Sequence, residues 1–225
     1  MHLVRQLIAN LESSSCVAIS GLSSHPFGSW QPRGGDKSFM WIRDILPKRL
    51  LSVRFFLYGY DTNVVKSSSK QTIADLSTSL VNTLEANGWS SPSGKPLVFI
   101  AHSLGGVILK QALVLLANGG VREVFLLNQI KGCVFFGVPS RGMPLDNVLG
   151  LMRNKPNEGL VHALSDRSDY VASIDQQFRG ITHYSRLRLI WAFETKLTPT
   201  VLVVSPNPLP SLLRCLGIAY GYLPT

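Results

Sequence analysis

Residues 97–118 constrain this chain more than any other stretch. Leu97 to Ile100 is a short apolar run, the pattern of a strand buried on both faces. From Leu104 to Asn118 the chain is almost continuously apolar and rich in Ala and Leu, which predicts a buried helix. Between them stands Ala101-His102-Ser103-Leu104-Gly105-Gly106. A strand that turns within a few residues into a helix is a unit of parallel α/β architecture. His102, Lys110 and the two glycines argue against a membrane span for the same stretch.

The corner between strand and helix has the form of a nucleophile elbow, with Ala101 in place of the first glycine of G-x-S-x-G. A serine can project from so tight a turn only if the residues two before and two after it are small. Ala101 and Gly105 meet that demand. The helix that follows Ser103 aims its N-terminal N–H groups and dipole at a developing negative charge. The N–H of Leu104 is the first expected oxyanion donor.

The rest of the chain repeats the alternation. Strands are expected at Cys16–Ile19, Val53–Tyr58, Ile130–Phe136, Leu187–Phe193 and Thr200–Val204. Helical spacing runs over Phe39–Leu46, stopping at Pro47, over Thr72–Asn87, ended by Gly88, and over Val121–Leu127. Residues 143–180 read as helical in pieces. The start of the chain has the spacing of a short amphipathic helix. The expected fold is a mostly parallel central sheet with helices on both faces. Its boundaries fall at 16–206, with a helix or extension at 1–15 and an atypical tail at 207–225.

The chain has 225 residues, enough for one such domain, and 45% of them are hydrophobic. Its net charge of +9 is spread along the sequence rather than held in a block. That excess suits a solvated basic face or contact with an anionic membrane surface. No aromatic-interleaved basic stripe points to nucleic acid. The three cysteines, Cys16, Cys133 and Cys215, are scattered without C-x-x-C spacing. Cys16 and Cys133 adjoin apolar runs and read as buried thiols, and the set suggests neither a disulfide framework nor a zinc site. No motif calls for a cofactor or a metal.

A set of further motifs carries a resemblance. Gly21-Leu22 with His25-Pro26-Phe27-Gly28-Ser29-Trp30 is followed in order by Tyr58-Gly59-Tyr60-Asp61, the elbow, Gly137-Val138-Pro139-Ser140-Arg141-Gly142 and Phe193-Glu194-Thr195. In these pieces the chain resembles the α/β-hydrolase domains of the serine active site-containing and GPI inositol-deacylase-like esterases, in their fungal form. The resemblance implies a serine esterase or lipase-like hydrolase of ester or lipid substrates. It also implies an intracellular location, cytoplasmic or at endoplasmic reticulum or mitochondrial membranes.

Two departures from the family stand out. The family reads His-Gly-Leu-Gly-Gly after its first strand, and this chain reads Ser20-Gly21-Leu22-Ser23-Ser24. That loop is expected to supply the second oxyanion N–H, from Leu22. The family also carries its catalytic histidine after a Val-Val-Ser-Pro strand end. Here Val203-Val204-Ser205-Pro206 is present, yet no histidine follows His183. The last strand and helix region therefore reads as truncated or replaced.

A serine needs a general base within hydrogen-bond reach. His102 adjoins Ser103 and reads as a packing residue. His183 precedes a strand and belongs at its opening end. His162 lies in the variable region. His25, in the oxyanion loop, is the one weak candidate for the base. For the acid, Glu194 follows the penultimate strand and Asp146 follows the strand before it. Asp61 reads as a loop cap. Two functions stay open: a serine hydrolase impaired by a missing histidine, and a binding or regulatory module that keeps the fold without the chemistry.

Overall fold

A computed structural model describes residues 7, 13–22, 25–32, 36–61, 68–194 and 220–221. Five parallel strands form its centre: β1 (Ser14–Ile19), β2 (Val53–Tyr58), β3 (Leu97–His102), β4 (Ile130–Phe136) and β5 (Arg188–Glu194). Their order across the sheet is β2-β1-β3-β4-β5, and a two-residue strand β6 (Tyr220–Gly221) pairs antiparallel with the end of β5. The elbow strand β3 is thus in the middle. The expected strand at Thr200–Val204 and most of the expected tail lie outside the described residues.

Alternate residues of one strand serve different layers. On β1, Val17 and Ile19 join the core shared with α3 (Ile73–Ala86), α4 (Leu104–Ala117) and α8 (Tyr170–Gly180). Cys16 and Ala18 face the other side, with Trp30, Met40, Ile42 and Leu46. Both faces of the sheet are therefore covered, which is why its strands read as unbroken apolar runs. Cys16 and Cys133 are buried free thiols on opposite sides of that sheet. Burial pushes both thiols far above their usual pKa.

Helix α3 shows how the sequence sets its ends. Thr72 accepts a hydrogen bond from the Asp75 N–H, and the Asp75 carboxylate accepts one from the Thr72 N–H. Pro47 behaves differently from the expectation. It does not stop a helix over 39–46. The chain forms α1 (Trp41–Asp44) and then a second short helix, α2 (Leu46–Arg49), with Pro47 in its first turn. Proline lacks an N–H, and the first turn of a helix does not need one. The sheet also begins at Ser14, two positions before the expected boundary.

After α4 come α5 (Val121–Gln129) and β4, then α6 (Asp146–Met152), α7 (Glu158–Leu164) and α8. Helices α6 and α7 form an excursion closed at its base by backbone. The Met143 N–H donates to the Leu164 carbonyl at 2.9 Å, and the Asp166 N–H to the Met143 carbonyl at 2.9 Å. Among the described residues, no helix is long and apolar enough to cross a membrane.

Candidate active site

Ser103 sits between the last residue of β3 and the first of α4, with φ 51° and ψ −124°. Besides glycines, it shares a positive φ only with Asn154 among the described residues. An L-residue holds such a conformation only where its surroundings over-determine it. Here they do. The Ser103 N–H donates to the Phe136 carbonyl at 3.0 Å, and the Ser103 carbonyl accepts from the Gly106 N–H at 2.9 Å. Ser103 is 1% exposed.

Small residues make room for this corner. A Cβ on Gly105 would meet the Ile19 carbonyl oxygen at 2.7 Å and crowd that of Ser20, so α4 can press on the end of β1 only without one. A Cβ on Gly21 would lie 2.8 Å from the Ser103 Cβ and 2.9 Å from His102 Nδ1. The loop after β1 therefore runs directly against the serine. Tyr60, two residues past β2, braces that loop by donating its hydroxyl to the Ser20 carbonyl at 2.8 Å. Burial drives the Tyr60 pKa well above its usual value.

The expected oxyanion donors, Leu22 and Leu104, lie on these two elements. Leu104 opens α4, where N–H groups have no partner inside the helix. Leu22 is buried next to Gly21. The candidate acids separate. Glu194 ends β5 at the same sheet edge as Ser103, because parallel strands share their carboxyl ends. Asp146 opens α6, is exposed, and forms an ion pair with Arg167 at 2.7 Å.

The described histidines do not reach the serine. His25 is exposed, and its Nδ1 accepts from the Phe27 N–H at 3.1 Å and the Gly28 N–H at 3.4 Å. The neutral ring then carries its proton on Nε2 and has no lone pair left for a serine proton. His183 bonds Asn128 Oδ1 at 2.6 Å, at the opposite edge of the sheet. Burial, then the charges of Arg186 and Lys131, hold its pKa below the usual histidine value. His102 is buried against Gly21. Among the described residues, none hydrogen-bonds Ser103 Oγ.

About two turns along α4 from Ser103 lies a group that motif reasoning missed. Lys110 is 1% exposed. Its ammonium donates to Asp175 Oδ1 at 2.5 Å and Ser140 Oγ at 3.0 Å, and lies 4.8 Å from the Trp191 ring. Arg179 adds a bond to Asp175 Oδ2 at 2.8 Å. Burial pushes the Lys110 pKa down, partly offset by Asp175. Burial pushes Asp175 up, but the bonds and charges of Lys110 and Arg179 outweigh it and leave its pKa below the usual carboxylate value. The available signal was one lysine inside an otherwise apolar helix.

A groove of about 330 Å³ opens between α1 and β2, lined by Phe27, Met40, Ile42 and Phe55. Ser103, Leu22 and Leu104 do not line it. No three His, Cys, Asp or Glu side chains converge as a metal would require among the described residues.

Phospholipase PlaB from Legionella pneumophila superposes with a TM-score of 0.57 at 13% identity, over 82% of this chain and 39% of that one. The mature lipase BlEst2 of Bacillus licheniformis gives 0.53 at 13% identity, over 80% and 65%. The fold is that of an α/β-hydrolase. In sequence, Protein SERAC1 of Mus musculus is 26% identical over 145 residues, which is 56% of this chain and 22% of that protein. SERAC1 of Homo sapiens is also 26% identical over 145 residues. The chain thus spans about a fifth of the length of the curated relatives it matches. No family model matches. Within this fold, Ser103 occupies the strand–helix corner at the centre of the sheet.

Proposed function

We propose that the chain is a serine esterase or lipase-like hydrolase scaffold, a distant relative of the serine active site-containing and GPI inositol-deacylase-like esterases. Ser103 would attack an ester carbonyl, with the N–H groups of Leu104 and Leu22 around the oxyanion. Glu194 is the acid that would orient a base, with Asp146 the second choice. The observation that carries this reading is the backbone of Ser103, a buried serine at φ 51° between β3 and α4. The family resemblance adds a location at endoplasmic reticulum or mitochondrial membranes and a role in lipid metabolism.

The second reading, a binding module without chemistry, is favoured by one observation: no described histidine serves Ser103 Oγ. Loss of one triad member costs roughly 10⁴–10⁶ in turnover. The chain as written should therefore hydrolyse a short-chain p-nitrophenyl ester poorly. Slow fluorophosphonate labelling that vanishes in Ser103→Ala supports an impaired hydrolase. Absence of labelling in both supports the binding module. Robust turnover that Ser103→Ala abolishes would show that a base reaches the serine.

A further inference from the structure

We propose that the edge of the sheet opposite Ser103 is a docking face for an anionic lipid bilayer. A parallel sheet gathers the amino ends of all its strands at one edge. Four of those strand starts bring a cation there: Arg54 on β2, Lys95 before β3, Lys131 on β4 and Arg188 on β5. Ladder register carries the row across the sheet, from Arg54 beside Ser15 to Ser15 beside Leu97, and from Leu97 beside Ile130 to Gly132 beside Arg188. Lys48 and Arg49 extend it at the end of α2.

Among the described cations, some hold a carboxylate and others do not. Arg43, Lys110, Arg167 and Arg179 each hold a carboxylate. None of the six edge cations does among the described residues. Arg122, beside them, approaches Glu85 at 3.8 Å. Asp75 opens α3 and Asp146 opens α6 at the Ser103 edge, while Glu85 near the end of α3 and Glu123 near the start of α5 stand at the basic edge.

Two aliphatic side chains choose between polyanions. Leu51, in the turn from α2 to β2, and Val121, at the head of α5, are each 90% exposed. Such side chains have no use against a phosphodiester backbone. They can insert among acyl chains while the cations hold lipid phosphates and carboxylates. A chain docked this way turns Ser103 toward water. If the proposed chemistry holds, its ester arrives from the aqueous side and not from the bilayer beneath.

The test is co-sedimentation of the full chain with phosphatidylcholine vesicles, with and without phosphatidylserine. Binding is expected only with phosphatidylserine, weakening as salt is raised. Each cation near the surface contributes about fivefold in partitioning. The combined Lys48→Gln, Arg49→Gln and Arg54→Gln variant should therefore bind about 100-fold more weakly. A charge-matched control, Lys70→Gln with Arg153→Gln and Lys155→Gln, should bind as the parent. Leu51→Asp should also weaken binding, and Ser103→Ala should not change it, so the result stands apart from the catalytic reading. Binding without phosphatidylserine dependence, equal loss in both triple variants, or a tighter hold on a single-stranded RNA with no effect of Leu51→Asp would each overturn the proposal.

Discussion

Helix α4 begins and continues in opposite ways. At its head, Ser103 stands in a strained conformation, surrounded by residues chosen for smallness, and no described group bonds its hydroxyl. Farther along, Lys110 is a buried charge with its partners supplied by a hydroxyl, a carboxylate and an aromatic face. The first arrangement costs stability and leaves a polar group ready for a ligand. The second offsets part of the cost of burial and holds α4 against α8. The difference separates a site from its scaffold inside one element.

The comparison breaks most visibly at Lys110. Replacing it with alanine leaves Asp175 in a buried place with only Arg179 for company. The expected loss is about 3 kcal/mol, read from denaturant or thermal unfolding. Lys110→Met keeps the volume and removes the charge, and Asp175→Asn in the same chain removes the orphan. That double variant should recover much of the loss. If it is as unstable as Lys110→Ala, packing and not the ion pair holds the two helices together.

Acid sharpens the same point by a smaller amount. The Asp175 pKa is depressed in the folded chain, so its contribution is present above the usual carboxylate pKa. It is lost as pH falls through the depressed value, when the folded state must take up the proton it had resisted. Unfolding midpoints should therefore drop below about pH 4. In Asp175→Asn that part of the slope should be missing. An unchanged acid limb in the variant would assign the effect to other carboxylates.

What the sequence made legible follows from the range of each signal. Strands β2 and β4 were readable to the residue, because apolar runs bounded by turns are local patterns. The elbow was readable because a sharp corner demands small residues within two positions. Pro47 misled, since a proline that ends one helix and a proline that starts the next look alike in sequence. The Lys110 network was invisible because Asp175 lies 65 residues away, in a stretch without a motif. The basic edge was hidden for a related reason. Its charges are scattered along the chain, and only the parallel topology brings the strand starts together.

The smallest effect tests the strain at Ser103 itself. Glycine reaches φ 51° without the Cβ clash that serine and alanine meet there. Ser103→Ala and Ser103→Gly both remove the hydroxyl, so the difference between them isolates the backbone. Relief of a sparsely populated conformation returns roughly 1–3 kcal/mol. The greater freedom of glycine in the unfolded chain takes back about 0.4–1 kcal/mol. Ser103→Gly should therefore unfold later than Ser103→Ala by about 1 kcal/mol. Glycine already outranks alanine at an ordinary helix N-cap, so the strain shows as the margin beyond that baseline. Should Ser103→Gly be the less stable of the two, the corner is not strained, and the contrast with Lys110 loses its energetic half while the geometry of both stays.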